Sequence, residues 1–312
     1  MKRPRTSSLA QATTFYLQTR RQLGFRLKSE GWALPSLVGY ARRQGHRGAL
    51  SSALALDWAQ SSTQASPPQR ACRLNIVRRF ARFWQRFDPR TEIPPAGLLG
   101  PTFRRRPVHI YTDKEVQRLL ASTSILGAGL RAANLRTLLG LLRCTGLRVS
   151  EALGLREGDI DWDQRVLTIR HSKSGQARLV PVHKDTLAAL RHYARLRQHC
   201  HPLNPTGAFW LSSTGRPLSY GTVRDAFLQL RRHLGWHRRP VPRLHDLRHT
   251  FAVACLLGWC RRRQPVGARI AALSTYLGHR QVTDTYWYLS AVPELMTWIC
   301  RRFQSFASSR HE

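Results

Sequence analysis

Apolar residues recur at helical spacing over most of the first hundred positions of the chain. Such spacing predicts amphipathic helices, separated here by segments rich in Gly, Pro and Ser. The predicted helices span Leu9–Lys28, Leu34–Gln44, Ser51–Gln60 and Gln69–Phe87. The pattern therefore predicts a small helical bundle in the N-terminal part of the chain.

A change in composition follows this bundle. Residues 93–107 are rich in proline and glycine, turn basic at their end, and favour neither helix nor strand. We interpret them as a linker between an N-terminal domain, residues 1–92, and a second domain, residues 108–312. In the second domain, Thr112 and Glu115 form a capping-box pattern that predicts a new helix. Another predicted helix ends at Gly146.

The second domain contains one segment with the two-residue period of strands. Residues 165–171 (RVLTIRH) and 177–182 (ARLVPV) alternate in this way and flank the turn-forming SKSGQ. This predicts a β-hairpin. Helical periodicity then returns, with helices predicted at 184–199, 220–234, 245–259, 268–277, 282–289 and a final amphipathic one at 293–307. The predicted fold class is mainly α with a small β-hairpin or sheet.

The charge of the chain points to a polyanionic partner. Lysine and arginine total 51 against 17 acidic residues, a net charge of +34, and the arginines are distributed from Arg3 to Arg310. A content of 42% hydrophobic residues, with nine tryptophans, predicts a packed core and argues against a disordered basic condenser. In the last helix of the bundle, arginines alternate with aromatic residues, and we favour phosphate contact over a merely solvated basic face.

Compartment and cofactor indications are weak. No apolar run approaches the length of a membrane span, and the first residues lack the pattern of a cleaved leader, so we expect the bacterial cytoplasm. The cysteines are scattered without a Cys-x-x-Cys pair, which disfavours a zinc ribbon or a disulfide scaffold. Cys255 and Cys260 have nearby histidines, but their irregular spacing favours buried thiols over a metal site. We expect no cofactor and no metal.

Three short sequences in the second domain carry candidate chemistry: TGLRVSEALGL at 145–155, LHDLRHTFA at 244–252 and LGHRQVTDTYWY at 277–288. They resemble the signatures of tyrosine recombinases, the phage-integrase family. In that family an arginine lies in a T-G-x-R-x-S-E sequence, a His-x-x-Arg pair follows, and a Leu-Gly-His precedes the nucleophilic tyrosine by nine residues. The resemblance covers about residues 107–296, with a looser match of the N-terminal bundle to the family's core-binding domain.

The resemblance implies a site-specific recombinase that cleaves and rejoins DNA through a 3′-phosphotyrosyl intermediate, independently of metal and ATP. It implies a catalytic set of Arg148, Lys173, His245, Arg248, His279 and Tyr288. These residue types suit the reaction, because displacement at a phosphodiester builds negative charge that fixed cations stabilise. Arginine in particular offers a planar fork of donors that matches two phosphate oxygens.

The resemblance also implies individual roles. Arg148 and Arg248 grip the phosphate, and Lys173 protonates the departing 5′ oxygen. His245 assists proton transfer from the tyrosine, and His279 donates a hydrogen bond to the phosphate. Two of these residues have ordinary alternatives, since an arginine at position 148 could simply pair with a nearby glutamate and Lys173 could be a solvated loop lysine.

Two tyrosines compete for the role of nucleophile. Tyr286 and Tyr288 are two positions apart in a predicted helix, so their side chains point about 200° from each other and only one can face the phosphate. The nine-residue spacing from His279 selects Tyr288. His249, next to the catalytic arginine of the second motif, is expected to be a structural histidine.

Other functions remain open at this point. A type IB topoisomerase uses related catalytic residues, and a catalytically silent DNA-binding accessory protein could keep the same fold. The expected partner is double-stranded DNA with paired recombination sites, bound by a homotetramer that exchanges its C-terminal segments. Related recombinases are further expected partners. No membrane and no small-molecule substrate are expected.

Overall fold

A computed structural model describes residues 8–103, 107–170 and 177–290 of the chain. The chain divides into two compact units, Met1–Arg106 and Pro107–Glu312. The division falls at the end of the predicted linker, while the separate roles assigned to the two domains stay predictions. The described residues are mainly α-helical with a small antiparallel sheet, which confirms the predicted fold class.

The first unit is a helical bundle. Its helices are α1 (Leu9–Gln22), α2 (Lys28–Arg43), α3 (Ser52–Gln60) and α4 (Pro67–Trp84). They enclose a core in which Trp58 and Phe80 are fully buried. Burial of such large side chains supplies most of the stabilisation of a small bundle.

Two boundaries in this unit differ from the prediction. Helix α1 ends six residues early because Gly24 adopts a φ of 84° and the Phe25 amide donates to the Arg20 carbonyl, a Schellman-type ending. Helix α2 begins six residues early and contains Pro35 in its interior. An interior proline costs about 3 kcal/mol, and the burial of Leu34 and Leu37 on either side of it offsets that cost.

The second unit combines helices with the sheet. Its elements are α5 (Asp113–Ala121), α6 (Leu130–Thr145), α7 (Val149–Leu153), β1 (Ile160–Asp161), β2 (Val166–Ile169), β3 (Arg178–Pro181), α8 (Lys184–Cys200), α9 (Tyr220–His233), α10 (Asp246–Arg261), α11 (Val266–Leu277) and α12 (Thr283–Ser290). The predicted capping box is present, with the Thr112 hydroxyl accepting from the Glu115 amide. The predicted final helix, 293–307, lies outside the described residues.

The sheet has the order β1-β2-β3 with antiparallel neighbours. The predicted pair of strands is confirmed as β2 and β3, whose register places Leu167 opposite Val180. Strand β1 was not predicted because two residues are too few to show a period. Residues 171–176, where the sequence predicts a turn, lie outside the described residues.

Two apolar clusters hold the helices of this unit together. The larger one surrounds α6, in which Leu138 and Leu142 are buried. The smaller one joins α10, α11 and α12 and includes Tyr288. Over the part of the chain that is described, no helix is long and apolar enough to cross a membrane.

Candidate active site

Two helices end side by side in a way that only glycine permits. Helices α6 and α11 are followed by Gly146 and Gly278, which adopt φ values of 61° and 66°. A Cβ atom at Gly146 would lie 2.4 Å from a ring carbon of Phe251, and one at Gly278 would lie 2.7 Å from Nη1 of Arg178. The carbonyl groups at both helix ends are thereby brought to one place, and each end carries partial negative charge.

Arg248 fills the space between these helix ends. Its side chain is almost completely buried, and it donates from Nη1 to the Gly146 carbonyl at 2.7 Å and from Nη2 to the Leu277 carbonyl at 2.8 Å. Burial and the nearby charge of Arg148 lower the pKa of Arg248 to about 10. The guanidinium is therefore a cation at neutral pH, held in place by backbone groups.

Arg148 lies directly before α7 and shares a carboxylate with a second arginine. Its Nη1 donates to Oε1 of Glu151 at 2.7 Å and its Nη2 to the Gly278 carbonyl at 3.1 Å. Arg178 on β3 donates from Nη2 to Oε2 of Glu151 at 2.8 Å. Arg148 thus pairs with a nearby glutamate, as the ordinary alternative held, and this same pairing fixes it beside the end of α11.

Glu151 is the acceptor that joins the two arginines. Its side chain is only 1% exposed. Burial raises its pKa, but hydrogen bonds from Arg178 and Arg148 outweigh that effect, and the net shift is downward. Glu151 is therefore an ionised carboxylate that balances part of the positive charge.

Tyr288 on α12 lies against the same group of residues. Its side chain is 3% exposed, whereas that of Tyr286 is 49% exposed. The Tyr288 hydroxyl is 3.2 Å from Nδ1 of His249. Burial raises the pKa of Tyr288, while Arg248 acts in the opposite direction through its charge and a hydrogen bond. The tyrosine chosen by spacing is the one that the fold places beside the buried arginine.

Two further histidines lie close by, His279 beside Tyr288 and His245 beside His249. The ring of His279 lies parallel to that of Tyr288 at 6.2 Å, and its Nδ1 is 2.7 Å from the Thr285 hydroxyl. The ring of His245 meets that of His249 edge to face at 4.7 Å. Burial and the neighbouring arginines lower the pKa values of His245 and His279 to about 4. Both rings are therefore neutral at physiological pH.

The structure thus brings together five of the six predicted site residues, and Lys173 lies outside the described residues. Within the described ranges, no three His, Cys, Asp or Glu side chains are grouped closely enough to hold a metal ion. Cys255 and Cys260 are partly exposed thiols and not the fully buried ones that we expected.

Comparison with known proteins identifies the chain. The family profile of the phage integrases matches residues 110–294. The integrase/recombinase y4rB of Sinorhizobium fredii is 39% identical over 309 residues, which cover 96% of this chain and 98% of that protein. The chain belongs to the phage integrase family.

Other members of the family agree with this assignment. Tyrosine recombinase XerD of Caulobacter vibrioides is 31% identical over 73% of this chain and 72% of its own length. The solved Tn1549 transposon integrase, in complex with transposon right end DNA, has a TM-score of 0.69 at 16% identity and covers 96% of this chain and 100% of that one. The chain is a tyrosine recombinase, an enzyme that breaks and rejoins DNA at specific sites.

Two residues of this recombinase's site were missed by the sequence analysis. Arg178 precedes Val180 by two positions in β3, so the two side chains lie on the same face of the strand. An arginine on the same face as a buried valine was the pattern that could have indicated Arg178. His249 contacts the Tyr288 hydroxyl although we expected only a structural role for it. No local pattern indicates a contact between residues 39 positions apart.

Proposed function

We propose that this tyrosine recombinase cleaves DNA by attack of the Tyr288 hydroxyl on a phosphodiester held by Arg148 and Arg248. The observation that carries the proposal is the position of Tyr288, which is buried beside Arg248, and Arg248 is held by carbonyl groups at two helix ends. Tyr286, two positions earlier, is half exposed.

The proposed reaction is a phosphoryl transfer between two oxygens. The Tyr288 oxygen forms a bond to phosphorus, the bond to the 5′ oxygen breaks, and a 3′-phosphotyrosyl ester remains. Arg148 and Arg248 stabilise the additional negative charge of the transition state, and preorganised donors of this kind contribute most when they are already fixed before the substrate arrives. The ester stores the energy of the broken bond, so rejoining needs no nucleotide.

The remaining predicted residues complete this proposal. Lys173 protonates the departing 5′ oxygen, a role that rests on the family sequence. His279, with its Nδ1 engaged by Thr285, donates from its other ring nitrogen to the phosphate. His245, whose ring contacts that of His249, assists proton transfer.

Capture of the covalent intermediate tests the nucleophile. A nicked duplex that carries the recombination site loses its short 5′ fragment after cleavage, so the protein–DNA ester accumulates and is detected by denaturing electrophoresis. We expect the adduct with the natural sequence and with Tyr286→Phe, and none with Tyr288→Phe. Phenylalanine preserves the apolar packing of position 288 and removes only the hydroxyl. An adduct formed by Tyr288→Phe would refute the assignment.

We further propose that the enzyme acts as a tetramer on paired sites in double-stranded DNA in the bacterial cytoplasm. The amphipathic segment 293–307 is proposed to dock on a neighbouring protomer. Removal of residues 293–312 is then expected to preserve binding to a single site and to weaken pairing of two sites, as measured by band-shift and two-site exchange assays. Normal recombination by the truncated protein would exclude this role.

A further inference from the structure

The neighbours of the Tyr288 hydroxyl bear on how this oxygen loses its proton. His249 lies in α10, one helical turn after His245, and its Nδ1 is 3.2 Å from the hydroxyl. The two rings are 5.4 Å apart between centroids. In the neutral tautomer with its proton on Nε2, the imidazole presents a lone pair at Nδ1, and the Tyr288 hydroxyl can then donate to it across this distance.

We propose that His249 is a catalytic residue that accepts the Tyr288 proton during cleavage, ahead of His245. The inference rests on the proposed function, since it takes Tyr288 as the nucleophile. A general base must lie within hydrogen-bond reach of the proton that it removes. His249 meets this requirement at the reacting oxygen itself, and the ring of His245 lies 4.7 Å from that of His249.

The step balances without any further reactant. As the Tyr288 oxygen bonds to phosphorus, its O–H bond breaks and the proton passes to Nδ1 of His249, which becomes an imidazolium. The 5′ oxygen departs with the electron pair of the broken P–O bond and takes a proton from the general acid. In the rejoining step the 5′ hydroxyl attacks phosphorus and gives its proton back to the general acid. The bond between phosphorus and the tyrosine oxygen breaks, and the imidazolium returns its proton to that oxygen.

The charges around His249 make this base dependent on the substrate. Burial, His245, Arg243, Arg248 and His279 together lower the pKa of the His249 ring to about 3 in the free protein. The ring is then neutral and able to accept a proton, but it is weakly basic. A phosphate anion bound by the arginines adds a negative charge close to the ring and raises its pKa. Proton transfer therefore becomes favourable when DNA occupies the site.

A pair of substitutions separates the base from a merely structural histidine. His249→Asn keeps a polar acceptor close to the position of Nδ1 but cannot take up a proton, and His249→Gln places its amide near the other ring nitrogen. His192→Asn, on an exposed position of α8, serves as the matched control. The measurement is single-turnover adduct formation on the nicked duplex over a range of pH.

We expect both His249 variants to bind DNA normally and to cleave about a hundredfold more slowly, as is typical for loss of a general base. The natural protein should reach a plateau in rate as pH rises. His249→Asn should show no plateau, because hydroxide becomes the acceptor, while His245→Asn should retain the plateau. A rate for His249→Asn within about twofold of the natural one, or loss of the plateau in His245→Asn alone, would overturn the proposal.

A sulfur-substituted substrate adds an independent readout. A duplex with sulfur in place of the bridging 5′ oxygen has a leaving group that needs no proton, so it should rescue Lys173→Ala and leave His249→Asn slow. Rescue of His249→Asn would instead identify His249 with the acid and overturn the inference. If the natural protein forms no adduct, the proposed function itself is refuted. This result differs from a failure of the inference alone, in which the natural protein still forms the adduct.

Discussion

Glu151 shows how a single carboxylate organises a strongly cationic site. It accepts from both Arg148 and Arg178, two side chains that would otherwise repel each other. Loss of one partner from a buried ionic network leaves uncompensated charge, which costs about 3 kcal/mol or more. The Glu151 carboxylate therefore holds Arg148 in position and also stabilises the fold.

Substitution of Glu151 by glutamine is expected to reduce both stability and cleavage. The amide has one oxygen to offer in place of two, and it leaves the two guanidinium groups without a counter-charge. We expect a loss of about 3 kcal/mol in the free energy of unfolding, measured by urea denaturation, together with slower adduct formation. Asp225→Asn is the control, because Asp225 and its ion-pair partner Arg224 are both more than half exposed, and such a pair is expected to contribute about 1 kcal/mol or less. Equal effects of the two substitutions would contradict this account.

His249 also predicts how the stability of the free protein depends on pH. Its pKa is about 3 in the folded state, against 6.5 for a histidine free of such neighbours. Between these values the unfolded chain binds the additional proton, so stability falls as pH falls below 6.5 and is unaffected above it. At pH 5 this amounts to about 2 kcal/mol.

The measurement is the free energy of unfolding at pH 7 and at pH 5. His249→Asn should reduce the difference between the two by about 2 kcal/mol relative to the natural protein. His192→Asn should not reduce it, because its side chain is exposed. The idea fails if the His249 variant keeps the full pH dependence.

At this scale the sequence indicated candidate residues but not the contacts between them. Tyr288 was selected by its spacing to His279, and in the structure it lies beside Arg248. The contact of His249 with Tyr288 depends on how α10 packs against α12, which is decided by apolar side chains of three helices. Contacts that depend on tertiary packing of this kind are not indicated by the periodicity of the sequences of α10 and α12.

Helix ends are the elements on which the site is built. Helices α6 and α11 deliver carbonyl groups to Arg248 and Arg148, and the close approach requires glycine after each helix. The C-terminal boundary of each of these helices was predicted, because a glycine follows the last apolar position. Boundaries without such a signal, such as the start of α2, were missed.

Gly278→Ala tests the role of a helix end in arginine placement. Alanine in a left-handed conformation costs about 1 kcal/mol, and here its Cβ would also meet Nη1 of Arg178 at 2.7 Å. Gly235 has nearly the same φ, 68°, and a Cβ at that position would have nothing within 4 Å, so Gly235→Ala isolates the backbone cost. We expect similar losses of stability from the backbone, and slower cleavage only in Gly278→Ala. Equal cleavage rates in a single-turnover assay would argue against the arrangement.

Across the whole molecule, the high positive charge serves two purposes. In the N-terminal unit some arginines are used within the bundle, as in Arg73, which donates to the Trp58 carbonyl and stacks on its ring. Others on α4 and just after it, Arg82 and Arg86, are exposed. Some arginines of the predicted basic face therefore pack within the bundle, and others are exposed to solvent. The net charge alone does not distinguish these two groups.

This division predicts separate effects on DNA binding. Replacement of Arg82 and Arg86 by glutamine should weaken binding and lower the slope of log affinity against log salt by about 2, since each lost phosphate contact contributes about 0.9. Arg73→Gln should instead lower the stability of the bundle and leave the slope nearly unchanged. Band-shift titrations at several salt concentrations measure the slope, and an unaltered slope in the double variant would exclude these contacts.

The acceptors of Arg248 have a consequence for the evolution of this site. Its two hydrogen bonds to the helix ends are accepted by backbone carbonyls, those of Gly146 and Leu277. Mutation can exchange the side chain at position 277 but cannot remove its carbonyl group. The hydrogen bond itself therefore does not depend on which side chain stands at position 277, although Leu277 is also buried in the apolar cluster. It depends on the arginine that donates and on the glycines that allow the helix ends to approach it.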